Sequence, residues 1–299
     1  AYFHGGTTQN ELYVLPCGDI WNNDKPHVIY GIVAVDEGCN LTINEGTHVY
    51  VHAKSGLFVY KGSLNIQGSL NNEVVFEGDR LEADYATLPG QWGIQYDVQI
   101  ETGVGPGIYS VTRGGIWLYQ CNSSSINYAI LKNGTSGVHL YSEDPSNSGY
   151  TLQLTNTKIF NEARYGVFLF AGAKVKAENC VLSHNGTHAL LVLQGGSFHF
   201  NHCDLLGFGA STNPAVGISN YYTNQAENQT YVSSIEEGVF QNCVLDGSLK
   251  TELAIDTIQM TGVVLNFDFS YSLIKSEVTY TDSFYGAQIF WNKPTLFTK

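Results

Sequence analysis

The side chains that could carry out chemistry are spread along this chain and do not form a compact motif. Cleavage of a glycan needs two or three neighbouring carboxylates, or a base placed beside carboxylates that bind Ca²⁺. The acidic residues with the best chance of converging lie in or near one inserted segment, where solvation is the more ordinary role: Asp79, Glu82, Asp84 and Asp97. None of the three arginines, Arg80, Arg113 and Arg164, stands beside an acidic cluster at an equivalent position of a repeat. We therefore predict no catalytic residues.

Histidines and cysteines offer two further possibilities. Four histidines fall close together and could hold a metal with a carboxylate: His184, His188, His199 and His202. No spacing enforces ligand geometry, so we predict no metal site and no cofactor. Six cysteines in an exported chain would ordinarily suggest three disulfides.

Three of these cysteines occupy one ladder of a repeat, which favours buried free thiols: Cys180, Cys203 and Cys243. Stacked side chains point the same way and lack the dihedral angle that a disulfide requires. Cys17 and Cys39 could still pair, and Cys121 has no evident partner.

The elements that must position these residues are short strands. Apolar and polar residues alternate over three to five positions, and Gly, Asn or Asp interrupts the runs. In the second half the runs repeat with a basic period of 23 residues. Equivalent corner positions are Asn127, Asn156, Asn179, His202, Asn242 and Tyr271, and an inward ladder in step with them is Leu154, Ala177, Phe200, Phe240 and Phe269.

A coil of 23 residues with three strands is one rung of a parallel β-helix, in which stacked rungs share a core. Gly31-x-x-x-Val35-x-x-Gly38-x-x-Leu41-Thr42-Ile43 resembles the opening of right-handed parallel β-helix proteins of the pectin-lyase-like superfamily. Residues 91–94 and 127–133 are similar to a group of Bacteroidota cell-surface lipoproteins. The resemblance implies an all-β, single-domain right-handed parallel β-helix over residues 26–299. Residues 1–25 would form an N-terminal cap or linker, with both ends truncated or processed and a lipid anchor lying in a missing N-terminal part.

Alternation also places apolar side chains on the outside of adjacent rungs. We predict a binding surface made of six residues: His139, Tyr141, Phe168, Phe170, Leu191 and Leu193. Either the insertion at residues 220–237 folds over this surface, or the surface docks a protein or stacks against sugar rings. Trp92 and Trp117 are alternative sugar-stacking residues, although capping of the core is the favoured role for both.

Composition limits the function further. The formal net charge of −13 argues against a nucleic-acid partner, which requires a basic face. No apolar run approaches the length of a transmembrane helix. We predict a non-catalytic binding or scaffold module in an outer-membrane-associated assembly, contacting surface or outer-membrane proteins or glycans, either on the extracellular face or secreted. The alternative is a polysaccharide lyase, for which Ca²⁺ is possible, or a glycoside hydrolase.

Overall fold

The computed structural model describes residues 1–6, 12–102, 105–112, 114–121, 123–143, 149–224, 227–277, 285 and 289–291. For 95–102, 105–112 and 290–291 the description is of the backbone alone. Three parallel sheets run along the length of this part of the chain, and the chain visits them in turn. The predicted all-β, single-domain parallel β-helix is confirmed.

The three sheets, named A, B and C, take successive strands of each rung. Sheet A contains β1 (Tyr2–Gly5), β4 (His27–Tyr30), β7 (His48–Val51), β10 (Val74–Gly78), β15 (Ala129–Lys132), β18 (Lys158–Phe160), β21 (Val181–Ser183), β24 (Asp204–Gly207), β29 (Val244–Gly247), β32 (Leu273–Ile274) and β33 (Phe290–Trp291). Sheet B contains β2 (Leu12–Val14), β5 (Ile32–Val35), β8 (Gly56–Tyr60), β13 (Ile116–Tyr119), β16 (Ser136–Tyr141), β19 (Tyr165–Phe170), β22 (His188–Leu193), β25 (Val216–Ser219) and β30 (Leu253–Asp256). Sheet C contains β3 (Asp19–Trp21), β6 (Asn40–Asn44), β9 (Ser63–Gln67), β14 (Ser124–Asn127), β17 (Leu152–Thr155), β20 (Lys174–Glu178), β23 (Ser197–Asn201), β28 (Ile235–Gln241) and β31 (Leu265–Asp268).

Two antiparallel hairpins and one short helix lie outside these sheets. The hairpins are β11 (Gln95–Thr102) with β12 (Gly105–Thr112), and β26 (Tyr221–Asn224) with β27 (Gln229–Val232). The helix is a 3₁₀ turn at Ala83–Tyr85. In the part of the chain that the structure describes, no helix has the length and apolarity needed to cross a membrane.

The core follows the alternation of side chains along each strand. Leu154, Ala177, Phe200 and Phe240 stack in register and are at most 1% exposed, which confirms the predicted inward ladder. A single rung encircles the core but leaves it open above and below. Its inward side chains are therefore buried by the rungs on either side. The result is one continuous apolar column without an internal boundary.

The corners between sheets C and A are held by asparagine ladders. Asn156 and Asn179 have φ of 51° and 54°, in the left-handed region that asparagine tolerates better than most residues. Nδ2 of Asn179 donates to Oδ1 of Asn156 at 2.7 Å, and Nδ2 of Asn156 donates to Oδ1 of Asn127 at 2.9 Å. Asn156 and Asn179 thus stack at the predicted corners and hydrogen-bond along the solenoid. Asn127 was predicted one position out of register: it is the last residue of β14 and pairs with Thr155, and Tyr128, with φ of 47°, occupies the corner.

Residues 1–25, predicted as an N-terminal cap or linker, contribute strands to the solenoid. β1, β2 and β3 pair in parallel with β4, β5 and β6, one pair in each sheet. At this end Trp21 is 1% exposed and its ring stacks on that of His4, with centroids 4.3 Å apart. The described part of this segment forms a rung that covers this end of the core.

The cysteines fall into two groups. Cys17 and Cys39 form a disulfide that joins the first two rungs. The four other cysteines are free and buried. Cys180, Cys203 and Cys243 form the predicted thiol ladder, and Cys121 lies outside it. Burial raises the pKa of Cys121 to about 12, which keeps this thiol protonated and unreactive.

Candidate functional site

The six residues of the predicted binding surface lie side by side on the outer face of sheet B. The register aligns His139 with Phe168 and Phe168 with Leu191. A second column, two positions further along each strand, contains Tyr141, Phe170 and Leu193. Adjacent rungs of a sheet are about 4.8 Å apart, so neighbouring members of a column are in contact.

One of these residues is not exposed as the pattern led us to expect. His139 points away from the core, but only 1% of it is accessible to solvent, because its ring lies between those of Trp117 and Phe168. The five other members are partly exposed. This surface is therefore a half-buried layer of side chains and not a freely exposed apolar patch.

Both columns extend over two earlier rungs that the repeat did not reveal. Phe58 pairs with Trp117 and Trp117 with His139, while Tyr60 and Tyr119 precede Tyr141. We call the resulting set the aromatic band: Phe58, Tyr60, Trp117, Tyr119, His139, Tyr141, Phe168 and Phe170. The favoured role of Trp117 as a core cap does not describe this position, because its side chain points outward and is partly exposed. The alternation in residues 57–60 and 116–119 was the available signal, but a long insertion separates the two strands.

The rings of the aromatic band stack mainly on one another. The centroids of Tyr119 and Tyr141 are 4.7 Å apart with ring planes 6° from parallel, and those of His139 and Phe168 are 4.6 Å apart at 26°. Rings in this arrangement cover each other's faces and leave their edges and hydroxyl groups toward solvent. The band is thus less suited to face-on stacking against sugar rings than the sequence pattern suggested.

The insertion at residues 220–237 touches one end of the band. It contains the hairpin of β26 and β27, from which Tyr222 makes an edge-on contact with Phe170 at a centroid distance of 5.3 Å. Phe170 and Leu193 nevertheless remain partly exposed. The insertion therefore covers the predicted surface only in part.

A polar groove adjoins this end of the band, at the turns that lead from sheet B to sheet C. Its volume is about 390 Å³, within the usual range for small-molecule sites. The polar residues lining it include Ser142, Glu143, Lys174, Ser197, Ser234 and Glu236. Nζ of Lys174 lies 3.7 Å from Oε2 of Glu236. The hydroxyl of Tyr141 donates to Glu143, which connects the band directly to the groove.

A hydrogen-bonded network lies beyond the groove on the outer face of sheet C. The Tyr150 hydroxyl donates to Oε2 of Glu237 at 2.6 Å, and Nδ1 of His199 lies 2.8 Å from Oε1 of the same carboxylate. Burial, together with Glu237, raises the pKa of Tyr150 to about 12, so this phenol stays protonated. The arrangement fixes the orientation of the imidazole. Neither Tyr150 nor Glu237 was selected from the sequence, because no repeat position links them to His199.

The acidic residues considered for chemistry do not converge where the structure describes them. Asp79 pairs with His52 at 2.6 Å, and Glu82 pairs with Arg80 at 2.9 Å. The side chain of Asp97 lies outside the described residues. Among the residues that are described, no group of three or more His, Cys, Asp or Glu side chains is arranged to hold a metal ion.

Trp92 has the buried role that the sequence favoured. It is 1% exposed, and its Nε1 donates to the carbonyl oxygen of Lys132 at 2.9 Å. The ring packs where sheet A turns into sheet B, on the inside of the solenoid, and so is not available to a ligand.

Comparison with known proteins agrees with this architecture. Residues 107–205 match the family model described as a right-handed beta helix region, and the fold is accordingly a right-handed parallel β-helix. No curated protein matches the chain.

Solved structures to which parts of the chain are similar include three proteins. One is the catalytic unit of a GH87 alpha-1,3-glucanase from Streptomyces thermodiastaticus, with 10% identity over 89% of this chain and 48% of that one, and a TM-score of 0.38. Another is a tailspike protein of the Acinetobacter baumannii bacteriophage Fri1, a capsular polysaccharide depolymerase, with 9% identity over 81% of this chain and 46% of that one, and a TM-score of 0.31. The third is a double mutant of a periplasmic alginate epimerase, with 10% identity over 97% of this chain and 79% of that one, and a TM-score of 0.31. The chain spans about half the length of the first two.

Proposed function

We propose that this protein is an extracellular or surface-exposed β-helix module that binds a glycan along the aromatic band and in the adjoining groove. The observation that carries the proposal is the direct connection between the two, made by the hydrogen bond from Tyr141 to Glu143. A partly exposed row of rings thus leads into a polar groove of about 390 Å³.

The chemistry of this surface suits a carbohydrate. Sugar rings have apolar C–H faces and hydroxyl groups that both donate and accept hydrogen bonds, so their sites combine aromatic surface with a few placed polar groups. The ring edges of Tyr60, Tyr119 and Tyr141 supply the aromatic surface, and their hydroxyls add polar groups beside it. Glu143, Lys174 and the serine-rich turns of the groove supply further polar groups. A protein partner would favour an exposed apolar patch, and the apolar members of the band are only partly exposed.

The proposed role is binding without catalysis, as part of a surface-associated assembly with lipid anchoring through a segment outside this chain. Protease treatment of intact cells tests the surface location: the protein should be degraded while a periplasmic marker survives. Extraction of the protein with soluble periplasmic contents would contradict it.

Binding itself is tested with an array of extracellular glycans, followed by calorimetry on the best ligand. Tyr119→Ala and Tyr141→Ala should each weaken binding by about tenfold, equivalent to ~1.4 kcal/mol. Tyr50→Ala is the matched control, because Tyr50 is also an outward tyrosine but lies on sheet A. Equal glycan affinity in all variants would show that the aromatic band does not contribute to binding.

A second candidate function is glycoside hydrolysis, which one observation favours. Glu143 and Glu236 line the same groove, and hydrolysis uses a pair of carboxylates on either side of the bond. Glu143→Gln and Glu236→Gln would then abolish release of reducing ends while leaving binding measurable. Intact glycan after prolonged incubation with the wild-type protein would support the binding role alone.

A further inference from the structure

Glu162 is a buried acid that the proposed binding function does not use. It lies at the turn from β18 to β19 and is 0% exposed. Its backbone N–H donates to Oδ1 of Asn185 at 3.2 Å. Both carboxyl oxygens, and Nδ2 of Asn185, have no hydrogen-bond partner among the described residues. A pair of buried polar groups without partners is costly and calls for a physical explanation.

The carboxyl group is packed beside the indole of Trp92. A Cβ atom placed on Gly134 would lie 2.6 Å from Oε2 of Glu162 and 2.9 Å from the ring of Trp92, so both side chains flank this one glycine. The backbone of Trp92 is held at the same turn, since its carbonyl oxygen accepts from N–H of Thr135 at 2.7 Å. No water-facing side of the carboxyl group remains.

An ionised carboxylate in this position would have no solvent and no cationic partner, with only the backbone of Gly134 to stabilise it. Burial accordingly raises the pKa of Glu162 well above its usual range, and the backbone of Gly134 opposes this only in part. Titratable side chains on the surrounding turns do not compensate, because Lys132 pairs with Glu77 and both Arg164 and His184 are exposed. The neutral acid is thus the form compatible with this packing.

Trp92 in turn supports the start of β13. A Cβ atom on Gly115 would collide with the ring of Trp92, so β13 begins in van der Waals contact with the indole. β13 carries Trp117 and Tyr119 of the aromatic band. Displacement of Trp92 would therefore loosen the strand that holds the middle of the band.

We propose that Glu162 is a pH-sensitive lock, in which the neutral acid keeps Trp92 seated and the ionised form releases Trp92 and loosens the start of β13. The direction of the effect of pH on stability follows from the linkage between protonation and folding. Below the usual carboxyl pKa both folded and unfolded chains are protonated, and Glu162 has no effect on pH dependence. Above it, only the unfolded chain ionises, so folding loses stability as pH rises until Glu162 ionises in the folded chain as well.

The test is denaturant unfolding of the full chain at a series of pH values between about 5 and 9. Relative to Glu162→Gln, the wild-type unfolding equilibrium constant should rise by as much as roughly tenfold per pH unit. Glu178→Gln removes an exposed carboxylate and should follow the wild-type profile. Parallel profiles for the wild type and Glu162→Gln would overturn the proposal.

A second measurement keeps the test decisive if Glu162→Gln does not fold. Tryptophan fluorescence of the folded wild type is titrated across the same range, and Trp92→Phe assigns the signal. A transition that disappears in Trp92→Phe supports the lock. A flat titration, together with the absence of a protonated carboxyl stretch in the infrared spectrum at neutral pH, would refute it. Neither readout depends on glycan binding.

Discussion

At the scale of single residues, burial decides which cysteines can react. The four free thiols are between 0% and 2% exposed, and the remaining two cysteines form the disulfide between Cys17 and Cys39. A buried thiol reacts only when the chain opens, since the reagent must reach the thiolate.

We therefore expect a thiol-specific reagent to label no cysteine in the native protein and four after unfolding without reductant. Six should be labelled after unfolding with reductant. The count of adducts by mass spectrometry measures this directly. Rapid native labelling of Cys203 would contradict the buried thiol ladder.

At the scale of elements, the asparagine ladder adds side-chain hydrogen bonds at corners where the backbone is in the left-handed region of φ. Asn156→Ala removes the bond to Asn127 and the bond from Asn179, and places alanine at φ of 51°. We expect a loss of about 2 to 4 kcal/mol in the free energy of unfolding.

Asn71→Ala is a matched control for the backbone part of this cost. Asn71 has φ of 68° and is exposed. Its replacement should cost about 1 to 2 kcal/mol, which corresponds to the left-handed conformation alone. Equal losses in the two variants would show that the ladder's hydrogen bonds contribute nothing measurable.

The disulfide also acts on one element, the first rung. It closes a loop between Cys17 and Cys39 with a sequence separation of 22. Because the four other thiols are free, mild reduction changes only this link. We expect faster hydrogen exchange in β1, β2 and β3, with unchanged exchange in the central rungs. Exchange that rises uniformly along the chain would instead mean that the first rung stabilises the whole solenoid.

The same elements explain which parts of the fold and site could be predicted. From residue 154 onward the inward and corner ladders stay in step, so alternation specified the facing of Phe168 and Leu191 correctly. Between Tyr60 and Ile116 the long insertion breaks the period, and the first half of the aromatic band was missed. The burial of His139 could not be predicted either, because it depends on Trp117 in the preceding rung. Tyr150, Glu237 and His199 meet through a turn and two strands with no common repeat position.

At the scale of the whole molecule, the solenoid behaves as one stack and the hairpins are additions to it. β25 and β28 each pair with the strands of the rungs on either side. β26 and β27, in contrast, pair only with each other among the described strands. In such a stack, stability comes from rung-to-rung contacts, and a surface insertion contributes little.

We therefore expect replacement of residues 222–231 by a short Gly-Ser linker to leave the far-ultraviolet circular dichroism and the cooperativity of unfolding unchanged. Loss of the Tyr222 contact should expose Phe170 and increase the binding of an apolar dye. Glycan affinity should change in the same variant, because Val232 and the serines after it line the groove. A variant that unfolds without cooperativity, or that is strongly destabilised, would instead show that the hairpin is an integral part of the core. The insertion would then stabilise the fold and would not serve as a boundary of the binding site.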